Sequence, residues 1–145
     1  MQILDSLKWR YATKKFDATR FLEETQIHTL KEAFNLTATS YGLQPIRLVV
    51  IKNKELQEKL VQYSWKQRQV VDASHLLVIC IDTTINSETI EAYFNRVKAI
   101  RETPEDILAP FKDFMIDTFS KKTQEELHTW ASKQAYLSLI HISEP

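Results

Sequence analysis

The run Leu76-Leu77-Val78-Ile79-Cys80-Ile81 decides the fold class. It is continuously apolar rather than alternating, the pattern of a strand covered on both faces. The short β-branched segment from Arg47 to Ile51 reads as a second buried strand. Two strands make a poor sheet by themselves, so either a partner supplies more or the chain is incomplete.

Outward from these strands, helical signals dominate. Ile3, Leu4 and Leu7 form a short amphipathic start. The spacing of Ile27, Leu30 and Phe34 predicts a helix from Glu23 to Leu36. Asn53 is placed to cap a helix carrying Leu56, Leu60 and Tyr63. Another helix presents Ile90, Tyr93, Phe94, Val97 and Ile100 on one stripe. Pro104 sits at a helix start, and Pro110 predicts a kinked or irregular continuation. Thr123-Gln124-Glu125-Glu126 is a capping box opening a last helix with Leu127, Trp130, Ala131 and Leu137 on its apolar face.

The 145 residues fit one domain. They include a single glycine, Gly42, where about ten would be usual. Neither a G-x-G-x-x-G turn nor a P-loop can be written with it, so a nucleotide would be held by side chains and helix ends. Formal net charge is zero, which excludes a general basic field for nucleic acid or an anionic membrane. The lone Cys80 excludes an intrachain disulfide and suits a reducing compartment. No run approaches the length of a membrane span, no signal peptide is visible, and the expected location is cytoplasmic. His28, His75, His128 and His141 lack metal-ligand spacing, so no metal is expected.

Three polar clusters could carry chemistry. Lys8 to Asp17 contains Arg10, able to grip a phosphate with its fork, and Lys14, a point charge nearby. Taken alone, its charges favour a solvated loop. Thr39-Ser40-Tyr41-Gly42-Leu43-Gln44-Pro45, taken alone, reads as an ordinary connection into the first strand. In Asp72-Ala73-Ser74-His75, a turn or cap is favoured over a nucleophile, because neighbours in sequence do not assemble a hydrolase triad without special geometry.

Their order adds information. Arg10-x-x-Thr13-Lys14, then Ser40-x-x-x-Gln44-Pro45, then Asp72-Ala73-Ser74-His75 opening an apolar strand, then Trp130-x-x-Lys133-Gln134-x-Tyr136-Leu137 resembles the FMN-dependent nitroreductase family. The resemblance runs from residue 1 to about Leu137. It implies an α+β fold with helices around a mixed central sheet, of which this chain holds the N-terminal part. It also implies an intertwined homodimer with FMN at the subunit interface, and NADH or NADPH as co-substrate. By the same resemblance Arg10 holds the flavin phosphate, and Tyr11, Ala12 and Thr13 line it. Lys14 lies near the pyrimidine edge, where an ammonium stabilises the negative charge that hydride arrival creates. Thr39, Ser40 and Gly42 contact the other subunit's flavin, Tyr41 faces nicotinamide or substrate, and Gln134 lies near the phosphoribityl end.

There are departures. Tyr11-Ala12 stands where relatives often carry His-Ser, Lys66 where they carry an asparagine near the flavin edge, and Gln69 where they carry a lysine. These leave FMN in place and bear on nicotinamide and acceptor choice. Residues 1–137 are expected to be the N-terminal part of one domain. Residues 138–145 resemble a translated library adapter and are expected to be a non-native tail. The implied activity is NAD(P)H-dependent reduction of nitroaromatics, quinones or similar small-molecule acceptors by a ping-pong route. The alternatives are a flavin reductase of pteridines or conjugated carbonyls, and a non-catalytic helical interaction module.

Overall fold

A computed structural model describes residues 3–143. In chain order the elements are α1 (Ile3–Trp9), α2 (Glu24–Leu36), β1 (Ile46–Ile51), α3 (Lys54–Val61), α4 (Gln69–Asp72), β2 (Leu76–Ile81), α5 (Ser87–Arg101), α6 (Glu105–Ser120) and α7 (Gln124–Ser143), with a 3₁₀ turn at Ser40–Gly42. The two strands pair with each other. The pairing is antiparallel, since the Asp82 N–H donates to the Pro45 carbonyl at 2.8 Å beyond the start of one strand and the end of the other. This is an α+β arrangement, as expected. Unlike the expected doubly covered strand, β2 is only half-buried along its whole length.

The chain divides into two compact units. The first holds the residues up to Leu36, Leu48–Ile79 and those from Ile140. Ile27, Phe34 and Val61 are buried in it. Asn53 caps α3 as expected, its side chain accepting the Leu56 N–H at 2.9 Å. The stripe Leu56–Leu60–Tyr63 is corrected, however. Leu56 is exposed, Tyr63 lies beyond the helix, and Gln57 is the residue fully buried. Gln57 turns inward because the end of α4 needs donors. Its Nε2 donates to the carbonyls of Val70 and Ala73, each at 3.1 Å, while Lys54 Nζ donates to those of Val71 and Ala73. Helix ends leave carbonyls without intrahelical partners, and two α3 side chains satisfy these.

The second unit comprises Thr37–Arg47 and Cys80–Leu139. Its core is Ile85, Ile90, Phe94, Met115, Phe119, Leu127 and Ala131, drawn largely from α5, α6 and α7. A capping box starts α5, with Asn86 Oδ1 accepting the Thr89 N–H at 3.0 Å and Thr89 Oγ1 accepting the Asn86 N–H at 2.9 Å. The predicted box at α7 is present: the Thr123 N–H donates to Glu126 Oε2 at 2.8 Å. Two expectations are corrected here. The helix α6 runs through Pro110 as one element, so the segment is not irregular there, and Ile100 is exposed rather than core. The last helix continues as one element through residues 138–143, with Ser138 fully buried.

Candidate functional site

Each candidate residue falls in one of the two units. In the first, the Arg10 N–H donates to the Ser6 carbonyl at 3.0 Å, closing α1. Residues Arg10–Lys14 then run without regular secondary structure, exposed throughout. At five residues this stretch is of ordinary loop length. It ends in a local turn, where Asp17 Oδ1 accepts from the Thr19 N–H at 3.0 Å and from its hydroxyl at 2.6 Å. Those bonds hold the Asp17 carboxyl below its ordinary pKa. An open depression of about 560 Å³ beside it is lined by Lys15, Phe16, Asp17, Ala18 and Asp72. None of the candidate binding residues lines it.

Lys66 is exposed and stands in a left-handed turn with Trp65, at φ 59° and 51° respectively. Gln69 opens α4 and is half-buried. Ser74 acts as the structural residue that its position suggests. Its Oγ accepts the Leu22 N–H at 2.8 Å and lies 2.8 Å from His75 Nδ1. With Ser74 occupied by a backbone donor, the pair ties the N-terminal segment to the start of β2.

In the second unit the structure brings candidate residues together. The Ser40 N–H donates to Gln134 Oε1 at 2.8 Å, across 94 positions. Gln134 Nε2 donates to the Trp130 carbonyl at 3.2 Å, and the side chain is 3% exposed. The turn is further tied by Gly42 N–H to the Thr39 carbonyl at 3.0 Å and by Gln44 N–H to Thr39 Oγ1 at 2.9 Å. Tyr41 has φ 61°, an uncommon conformation for a bulky residue that costs about 1–3 kcal/mol. Its ring packs edge-on to Phe119 at 5.7 Å, with Phe111 and Trp130 each at 6.3 Å, yet stays 39% exposed.

Gly42 also has a role inside this chain's own fold. Its φ is 73°, and a Cβ there would lie 2.6 Å from the Tyr93 hydroxyl oxygen. The absent side chain makes room for this chain's own α5. Tyr93 was legible only as part of a helical stripe, and nothing in the sequence signals its approach to Gly42.

The nitroreductase family model matches residues 7–139, nearly the whole of the described chain. The chain belongs to the nitroreductase family. A Staphylococcus epidermidis protein named as a candidate NAD(P)H nitroreductase is 35% identical over 144 residues, covering 97% of this chain and 66% of its own length. The chain thus spans just under two thirds of that relative. Among solved structures, a candidate NAD(P)H:FMN oxidoreductase of Staphylococcus epidermidis superposes with a TM-score of 0.82 at 20% identity, covering 97% of this chain and 66% of that one. A candidate nitroreductase from Exiguobacterium sibiricum, solved in complex with FMN, gives 0.79 at 14% identity, covering 98% and 68%. These likenesses show the nitroreductase fold. Among the described residues, no helix is long and apolar enough to cross a membrane.

Proposed function

We propose that this chain carries the N-terminal flavin-binding elements of an oxidoreductase that uses NADH or NADPH to reduce nitroaromatics, quinones or similar acceptors through FMN. It works as a cytoplasmic homodimer, alternating two half-reactions at one site. The observation that carries the reading is the Ser40–Gln134 hydrogen bond. It joins two of the four separated family motifs into one structure, beside an aromatic ring left partly exposed. The name of the FMN-bound relative supports the choice of cofactor.

The donor set fits the group. A guanidinium, a hydroxyl and an ammonium at Arg10, Thr13 and Lys14 lie within five consecutive exposed positions, the chemistry that a phosphate monoester asks for. Arg10 would hold the phosphate with its two-pronged donor, with Tyr11, Ala12 and Thr13 lining it. Lys14 would place positive charge where electron density increases on reduction. Thr39, Ser40 and Gly42 present backbone and hydroxyls, Tyr41 offers a flat face to nicotinamide or acceptor, and Lys66 and Gln69 bear on which acceptor is taken. FMN, when bound, supplies a two-electron carrier between nicotinamide and acceptor. No side-chain acid or base is required of the protein, whose part is positioning and electrostatics.

Titration of the purified chain with FMN, followed by NADPH oxidation with a quinone acceptor, tests this. Saturable flavin uptake and acceptor-dependent oxidation are expected. Absence of both would sink the reading.

A further inference from the structure

The Ser40–Gly42 turn is held from three helices at once. From α7, Gln134 bonds the Ser40 N–H. From α5, the Tyr93 hydroxyl fills the space that a Cβ on residue 42 would take. From α6 and α7, Phe111, Phe119 and Trp130 pack around the Tyr41 ring. The turn itself is costly, since Tyr41, Gly42 and Gln44 all have positive φ, at 61°, 73° and 44°. Left to itself such a segment relaxes, and it persists because its surroundings over-determine it.

We propose that Tyr93 and Gln134 are positioning residues which set the shape of the Ser40–Gly42 turn and, through it, flavin affinity. The inference rests on the functional reading above. Gln134 was expected to lie near the flavin itself. Its geometry adds the task of holding the turn, because its Oε1 and Nε2 are both engaged inside the unit and almost none of it reaches the surface. Tyr93 backs the turn from α5, its hydroxyl oxygen standing where a Cβ on residue 42 would lie 2.6 Å away.

The test is a pair of perturbations read by FMN affinity and by the near-ultraviolet circular dichroism of the ligand-free chain, which reports the packing of Tyr41 against Trp130. Gly42→Ala is expected to weaken FMN binding by about tenfold, because a φ of 73° strains any L side chain there and the new methyl also meets the Tyr93 oxygen. Adding Tyr93→Phe removes that oxygen and leaves the backbone strain, so the double variant recovers part of the affinity lost in Gly42→Ala alone. Gln134→Glu can accept from Ser40 but, when ionised, cannot donate to the Trp130 carbonyl. Its affinity and its aromatic spectrum are expected to recover towards wild type as pH falls and the carboxyl gains a proton, while Gln134→Leu shows no recovery.

Additive losses in the Gly42 and Tyr93 pair, or a Gln134→Glu variant that does not recover on acidification, would overturn the proposal. A wild-type chain that takes up no FMN would overturn the functional reading instead. The spectrum of the ligand-free variants would still decide whether these two residues shape the turn.

Discussion

Gln57, fully buried on α3, donates from Nε2 to the Ala73 carbonyl at 3.1 Å and thereby closes the end of α4. The segment carrying Lys66 and Gln69 lies between these two anchor points, so its shape depends on a residue with no chemistry of its own. Replacing Gln57 with Ala should destabilise the chain by about 1 kcal/mol, because the Val70 carbonyl loses its donor, while the Ala73 carbonyl keeps Lys54 Nζ and the unpartnered Gln57 Oε1 is removed. Urea unfolding would measure it. An unchanged midpoint would show that water replaces the amide without loss.

Ser138 presents the opposite case. It is fully buried within α7, and its hydroxyl has no hydrogen-bond partner among the described residues. Removing an unsatisfied buried polar group recovers its desolvation cost, and alanine is the better helix former. Ser138→Ala should therefore stabilise by about 1 kcal/mol, seen as a raised thermal midpoint. A lowered midpoint would mean that the hydroxyl is satisfied after all.

If Arg10 grips a phosphate with two parallel donors, charge alone cannot replace it. Arg10→Lys should weaken FMN binding by about tenfold, and Arg10→Ala by more. Riboflavin, which lacks the phosphate, should bind wild type and variants alike. Equal losses for both flavins would place Arg10 elsewhere.

Glu105 ties the end of α5 to α6. Its two oxygens accept from Lys112 at 2.7 Å and Lys98 at 3.1 Å, and those bonds hold its carboxyl below the ordinary value. A depressed carboxylate contributes stability that is present above its unfolded pKa and is lost as pH falls through the folded one. Acidification below the usual glutamate range should thus lower the thermal midpoint. Glu105→Gln should flatten part of that dependence, and added salt should reduce the difference between the two proteins because the pairs face solvent. Parallel pH profiles for the two would discount these pairs.

What could be read in the sequence was local. The Asn53 cap and the Thr123–Glu126 box depend on neighbours three residues away, and both formed as read. The family motifs were legible from their order, and one of the contacts joining them, Ser40 to Gln134, is present. What escaped was set by distant chain. Gln57 turns inward because α4, a four-residue helix with little signal of its own, needs donors at its end. Pro110 does not interrupt α6. It removes one backbone donor near the start of the helix, and the burial of Met115 and Phe119 further along outweighs that loss. The contact between Tyr93 and Gly42 depends on how α5 meets the turn, which no spacing rule encodes.

That proline has a consequence for the timing of exchange with solvent. Without an N–H at Pro110, the Asp106 carbonyl lacks the donor that would lock the first turn of α6 onto the next. The amides around Leu108 and Ala109 should take up deuterium well before those around Met115 and Phe119, whose side chains anchor the far half in the core. A helix continuous in shape would then open in two stages.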